Sequence, residues 1–236
     1  MTNLETKVYH IWKAVAVVSL AYLLVAAAGI IFGRAFNLPV FAAVLILGLW
    51  ILPVFFKEKI LDFFCEDVLV IVDSESLVIK NLSSAKDMEN SNTNPISWRN
   101  VSGYKFQLAP RHDMVQLKIY QLKGRNKSFV FRGNSCKSID GDLPTIVKTC
   151  CDGIKSYNLT ATESDKLNYV GGFLTTKNGL IVLMTLLAII VATVIFLMSK
   201  NPHKFPLSFM SIFMVLALFG KRSAEIKLKE KIEANH

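Results

Sequence analysis

Long stretches of this chain contain no charged residue. The 236-residue sequence has a net charge of +9, yet four of its runs contain no Asp, Glu, Lys, Arg or His: Ala14–Phe32, Ala35–Phe56, Asn178–Ser199 and Phe205–Gly220. Coupled transporters and proton relays need ionisable groups at membrane depth, so this absence argues against both. A bilayer core requires roughly 20 apolar residues in helical form. The four runs therefore predict four transmembrane helices, arranged as two hairpins that flank a polar middle domain.

Signatures of catalysis and of metal binding are also missing. The sequence contains no Gly-x-Ser-x-Gly, no phosphate-cradling glycine loop and no His-Glu-x-x-His. The four cysteines, Cys65, Cys136, Cys150 and Cys151, lack Cys-x-x-Cys spacing, so we expect ordinary packing or surface thiols. We therefore expect no enzymatic activity, no cofactor and no metal.

Between the hydrophobic pairs, the sequence pattern is typical of antiparallel strands. Val68–Val72 and Leu77–Leu82 flank Asp73-Ser-Glu-Ser and predict a hairpin, which the polar loop 83–94 follows. Further strands are predicted at 96–101, 104–108, 115–120 and 128–131. Their period-two alternation predicts one buried face and one face in water, with Lys105 on the wet side. Trp98 is expected to anchor the core.

A helix is predicted to close the middle domain. Apolar residues recur at spacings of three and four along one stripe: Leu143, Ile146, Val147, Cys150, Ile154 and Tyr157. Asp142 suits the N-cap, and Pro144 is tolerated in the first turn. A helix with one apolar face must cover another element, here the preceding sheet.

Three segments resemble the bacterial membrane-anchored pleckstrin-homology-like (PH-like) domains. They are Asp67-Val-Leu-Val-Ile, then Pro95-Ile-Ser-Trp98-Arg-Asn-Val101, then a closing helix that ends Ile154-Lys-Ser-Tyr157-Asn158. The resemblance covers about residues 65–158, and the second hydrophobic pair departs from the single hairpin common in those families. It implies an α+β membrane protein in which four transmembrane helices flank a PH-like antiparallel β-barrel with one C-terminal helix.

The expected organisation has five parts. They are an N-terminal transmembrane hairpin (1–57), a PH-like domain (58–160), a linker (161–178), a C-terminal transmembrane hairpin (179–220) and a basic tail (221–236). Lys and Arg in the flanks number ten on one side of the expected membrane and three on the other. Because basic flanks resist translocation, both termini and the middle domain are expected to be cytoplasmic, with the chain integral to the inner membrane. The first apolar run is too long for a cleavable signal peptide.

Basic residues concentrate in one part of the middle domain. Residues 99–137 contain nine Lys or Arg and one acidic residue, Asp113, a balance of +8. One interpretation is a face for anionic lipid headgroups, and the other is simply solvated strands and turns. The lipid- or partner-binding candidates are the residues at strand ends and turns: Lys118, Lys123, Arg125, Lys127 and Arg132. Nucleic acid is not expected, because exposed aromatics are not interleaved with this charge.

Gly29 and Gly33 form a Gly-x-x-x-Gly spacing within the first apolar run. Small residues at this spacing let two helices approach closely. We expect these glycines to serve helix packing, either within the chain or between protomers.

These features predict a non-enzymatic membrane scaffold or regulator whose cytoplasmic domain binds a protein partner or anionic lipid headgroups. Two alternatives remain open. One is an oligomeric membrane-disrupting or pore-forming effector controlled by the domain, and the other is a membrane immunity protein.

Overall fold

The structure, a computed structural model, describes residues 2–36, 57–82, 95–109, 113–137, 143–200 and 206–234, with the isolated positions 40, 43, 44 and 48. Within these residues, eight strands form one sheet: β1 Thr2–Tyr9, β2 Cys65–Val72, β3 Ser76–Asn81, β4 Ile96–Ser97, β5 Val101–Leu108, β6 Met114–Gln121, β7 Lys127–Arg132 and β8 Asn168–Tyr169. Five α-helices accompany them: α1 Ile11–Ala35, α2 Lys57–Phe63, α3 Thr145–Thr160, α4 Lys177–Lys200 and α5 Pro206–Ala234. The strand order across the sheet is β4-β3-β2-β1-β7-β6-β5-β8.

The first strand, β1, was not predicted from the sequence, and it lies inside the sheet. It pairs antiparallel with β2 along its whole length, ending with Tyr9 opposite Cys65. On its other side it pairs antiparallel with β7, where Val8 lies opposite Phe131. Thr6 and Val8 are buried while their neighbours on the other face are more exposed. β1 therefore contributes both backbone pairing and side chains to the core.

The hairpin predicted after residue 65 is confirmed. β2 and β3 pair antiparallel from Val72 opposite Leu77 outward, and the Asp73 N–H closes the turn by donating to the Ser76 carbonyl at 3.0 Å. The loop predicted at 83–94 lies outside the described residues.

The strand predicted at 96–101 is wrong in part. β4 is only two residues long, and the chain then forms a single 3-10 turn at Trp98–Asn100 before β5 begins. Trp98 is fully buried, which confirms its expected place in the core. Lys105 departs from the expected wet face, because it is only 7% exposed within β5.

The predicted closing helix is confirmed as α3. All six residues of its apolar stripe are buried: Leu143, Ile146, Val147, Cys150, Ile154 and Tyr157. Lys148, Asp152 and Lys155 on the other face are exposed. Asp142, the expected N-cap, lies outside the described residues.

The chain divides into two compact units. Unit 1 comprises Met1–Ile96, Leu108–Leu117 and Ser128–Thr149, and unit 2 comprises Ser97–Gln107, Lys118–Lys127 and Cys150–His236. The buried side chains of unit 1 include Val70, Leu77 and Phe131, and those of unit 2 include Tyr104, Phe106 and Ile154.

The prediction of four transmembrane helices around an antiparallel barrel is wrong. In the part of the chain that the structure describes, one helix, α1, is long and apolar enough to cross a membrane. The run Ala35–Phe56 lies largely outside the described residues. Within α4, the described residues form a shorter apolar segment, Lys177–Thr193. The sheet is mixed, because β8 runs parallel to β5.

The physical reason for this error is that an uncharged run does not show where a helix ends. α5 continues without a break from the apolar residues after Pro206 into the charged segment that begins at Lys221. In that charged half, Leu228 and Ile232 are buried. The expected linker likewise contains β8 and a 3-10 turn at Phe173–Thr175.

The burial of α3 leads to a stability prediction for the full-length chain. Ile154→Asp should lower the free energy of unfolding by about 3 kcal/mol, because it buries an unpaired carboxylate. The matched change Lys148→Asp, on the exposed face of the same helix, should change it by no more than about 0.5 kcal/mol. Thermal unfolding followed by circular dichroism compares the two. Equal tolerance of both changes would show that this face of α3 is not part of the core.

Candidate functional site

The five basic residues that the sequence predicted as lipid- or partner-binding candidates do not all belong to the same unit of the structure. Arg132 belongs to unit 1, and the other four belong to unit 2. Lys123 and Arg125 are exposed in the turn between β6 and β7, while Lys127 opens β7 and is half-buried. Lys118 lies within β6. The set is therefore divided between the two units.

The segment Leu122–Asn126, which we call the basic turn, is an exposed cationic feature of unit 2. Gly124 has φ of +101°, a backbone conformation that side-chain-bearing residues rarely adopt. The Asn126 side-chain oxygen accepts from the Gln121 N–H at 3.2 Å, which fixes the turn locally. Lys123 and Arg125 thus project from a defined turn.

The basic turn lies next to a further exposed cation, Arg99. The Leu122 N–H donates to the Asn100 carbonyl at 2.8 Å, which holds the turn against the 3-10 turn that carries the exposed Arg99. Leu122 itself is 64% exposed although it is apolar. None of the ion pairs found among the described residues involves Arg99, Lys123 or Arg125. An exposed leucine beside three cationic side chains can meet a surface that is both anionic and apolar.

Arg132 has a different environment, in unit 1. Its guanidinium donates to Asp62 through Nη1 and to Glu58 through Nη2, so it ties β7 to α2. The side chain is 14% exposed, whereas both carboxylates are largely in solvent. The Arg132 guanidinium therefore has a structural role, and little of the side chain is available to a ligand.

Unit 2 also contains a buried charge pair. Nζ of Lys105 lies 3.9 Å from Oε2 of Glu225 on α5. Burial lowers the pKa of Lys105, Glu225 offsets part of that effect, and Lys118 and Lys221 add to it. A Cβ at Gly172 would lie 2.6 Å from Nζ of Lys105, so a larger residue there would require the Lys105 and Glu225 side chains to shift. The backbone at Gly172 is therefore packed closely against this pair.

The thiols have no environment that would activate them. All four cysteines are free, with Cys136, Cys150 and Cys151 buried and Cys65 half-buried. Burial raises the pKa of Cys136 to about 11 and that of Cys151 to about 12. Because the thiolate is the reactive form, these thiols are unreactive near neutral pH.

A cavity of about 480 Å³ lies in unit 1 where α1 leaves the sheet. We call it the root cavity. The carboxylate of Glu66 accepts from two donors, Lys13 Nζ at 3.2 Å and Asn81 Nδ2 at 3.0 Å, and it also lies 3.0 Å from His10 Nε2. These contacts, led by His10, lower the pKa of Glu66, against the opposing effect of burial.

The root cavity was not predicted, because it depends on β1. Glu66 lies on β2 opposite Val8, and His10 follows β1 directly, so the strand pairing brings them together. The only local signal was the His10-x-x-Lys13 start of an apolar helix. Gly29 and Gly33 are buried on α1, as close helix packing requires, but their packing partner remains a prediction.

Comparison with models of known protein families, with curated proteins and with solved structures finds no match. What the protein binds is therefore inferred from its own side chains.

The separation of Arg132 from the basic turn leads to a prediction. Arg132→Gln should lower the free energy of unfolding by about 1 kcal/mol, because it removes two partly exposed ion pairs. Lys127→Gln, the matched change on the same strand, should alter it by less than about 0.5 kcal/mol. Thermal unfolding of both full-length variants provides the measurement. A silent Arg132→Gln would return this residue to the set of available cations.

Proposed function

We propose that this protein is a non-enzymatic, membrane-attached scaffold or regulator, held by α1, whose sheet domain contacts anionic lipid headgroups through the basic turn. The observation that carries the proposal is a long, exposed apolar helix that leaves the sheet directly from a central strand. The exposed Leu122, beside cations that make no ion pair with any described residue, supports the lipid contact.

The surface of α1 supports membrane attachment. Leu20, Leu23 and Leu24 are each more than half exposed on this 25-residue helix, and only three of its residues are buried. So much exposed apolar surface is unfavourable in water and favourable in hydrocarbon.

Aromatic residues at the start of α1 and the end of α2 fit a membrane–water boundary. Trp12, in the first turn of α1, is 84% exposed, and Phe63, at the end of α2, is 80% exposed. The His10 N–H donates to the Phe64 carbonyl at 3.0 Å, so both aromatics belong to the same region of unit 1. Trp in particular is enriched at the headgroup level, where its amphipathic ring suits both phases.

The pairing of β1 favours a retained anchor over a removed leader. Cleavage after α1 would also remove β1, which pairs with β2 along its whole length and with β7. The sheet would then lose an internal strand and its contribution to the core.

The distribution of basic residues favours a cytoplasmic sheet domain. Lys7 and Lys13 precede or begin α1, and Lys59 lies on α2, which returns to the sheet beside Tyr9. Only Arg34 lies at the far end of α1. Basic flanks stay on the cytoplasmic side, which suits contact with the anionic lipids of that leaflet.

The basic turn suits the second membrane contact. Each Lys or Arg near an anionic surface contributes about 1 kcal/mol, and the effect weakens as salt screens it. Leu122 adds an apolar group at the same place, in the way that interfacial segments combine charge with apolar insertion.

The anchor is tested by charging α1. The double change Leu20→Arg with Leu24→Arg should move the full-length protein out of the carbonate-resistant membrane fraction, since each central Arg costs about 3 kcal/mol of insertion free energy. Leu159→Arg, at an exposed leucine of α3, should leave the fractionation unchanged. Carbonate extraction of the unchanged protein, or membrane retention of the double variant, would contradict α1 as the anchor.

The lipid contact is tested with an environment-sensitive fluorophore at Leu122→Cys. Cys65→Ser suffices as background, because the other thiols are buried. In nanodiscs of the full-length protein, fluorescence should rise when anionic lipid replaces neutral lipid and fall as salt is added. Lys123→Ser with Arg125→Ser should abolish the rise, since it removes about 2 kcal/mol of attraction.

A label at Leu159→Cys serves as the matched exposed-leucine control for this experiment, and it should not respond to lipid charge. A response at residue 122 that ignores lipid charge, or one that survives the double Ser change, would overturn the lipid contact.

A further inference from the structure

We propose that the root cavity binds a single-chain anionic amphiphile, with its headgroup on Lys13 and the first turn of α1 and its acyl chain against Val68, Ile79 and Phe129. The inference rests on the proposed function in one respect, the membrane placement of α1, which gives such a ligand direct access.

The lining of the root cavity has two chemical parts. Val68, Ile79 and Phe129 supply apolar surface from three different strands, β2, β3 and β7. His10 and Lys13, both on the lining, each contact Glu66 and so form one cluster with it. A ligand that fills this space therefore needs a long apolar part and one polar end.

The size of the cavity fits a small organic ligand. Its volume of about 480 Å³ falls within the range of roughly 300–1,000 Å³ usual for ligand pockets. Trp12 lines the cavity, but most of its side chain is exposed to solvent. This large side chain therefore leaves the cavity open.

The charged residues on the cavity lining favour a ligand whose polar end is an anion. Glu66 already accepts from Lys13 and Asn81 and contacts His10, so its charge is compensated by the protein. Among the described residues, Lys13 gives only one of its three ammonium N–H donors, to Glu66, which leaves two for a ligand.

The start of α1 adds to this preference. His10 makes no side-chain capping bond, and the first turn contains no acidic residue. The first N–H groups of a helix have no partner within it and favour negative charge. Lys13 and this uncapped turn face the same cavity, so a carboxylate or phosphate can accept from both.

The test uses the full-length protein in phosphatidylcholine nanodiscs and three photoactivatable probes. Each probe has one diazirine-bearing acyl chain, and the headgroups are a carboxylate (a fatty acid), a phosphate (a lysophosphatidic acid) or neutral glycerol (a monoacylglycerol). After irradiation, mass spectrometry locates the adducts. Labelling of β2, β3 and β7 by the carboxylate probe, the phosphate probe or both supports the proposal and identifies the headgroup.

Two variants separate cavity binding from simple partition into the bilayer. Ile79 is a half-buried residue of the cavity lining. Ile79→Trp should fill part of the cavity and reduce labelling of the three strands about tenfold without changing the thermal midpoint. Lys13→Ala should reduce labelling by the charged probes about tenfold and leave the weak labelling by the glycerol probe unchanged. Lys59→Ala, an exposed cation outside the cavity lining, is the control and should have no effect.

Three results would overturn the proposal: adducts confined to α1, equal strand labelling by the neutral probe, or labelling that survives Ile79→Trp. These results are independent of the carbonate extraction that tests α1 as an anchor. Failure of the anchor leaves strand labelling measurable, and failure of strand labelling leaves the anchor intact.

Discussion

The antiparallel pairing of β1 with β2 is the interaction on which the rest of unit 1 depends. It begins at the N-terminal strand and runs to Tyr9 opposite Cys65, where the His10 N–H still donates to the Phe64 carbonyl. The chain therefore leaves the sheet into α1 and returns through α2 at one point. That point assembles the root cavity, and it places Trp12 and Phe63 in one region at the base of the apolar helix. The pairing of β1 with β2 is what brings His10 and Lys13 to Glu66.

Charge in this protein is divided among different physical tasks. Arg132 ties β7 to α2 through two carboxylates, and its partial burial makes this a structural contact. Lys105 and Glu225 are taken out of water together inside unit 2, where removing one would leave the other uncompensated. Lys123 and Arg125 remain in solvent on a fixed turn. A net positive segment thus contains cations that hold the fold and cations that are available to a surface.

Hydrophobic patterns along the sequence correctly predicted elements that are defined by residues close together in the chain. The β2–β3 hairpin follows from two apolar runs around the Asp73-Ser-Glu-Ser turn, and the apolar stripe of α3 follows from spacings of three and four. The same reasoning failed at Lys105, where alternation predicted water. Glu225, 120 positions further along the chain, lies against it instead. Local pattern carries no information about an element so distant in sequence.

The sequence by itself determined the apolar character of α1, the fully buried Trp98, the amphipathic α3 and the excess of basic residues between 99 and 137. These are properties of composition and local period, which the chain carries whether folded or not. Only the tertiary structure decided that residues 2–9 are an internal strand, that α5 continues into the charged segment and that Glu66 meets His10 and Lys13. The physical reason is that strand pairing and helix packing join segments far apart in sequence, and the free energy of those contacts outweighs weak local preference.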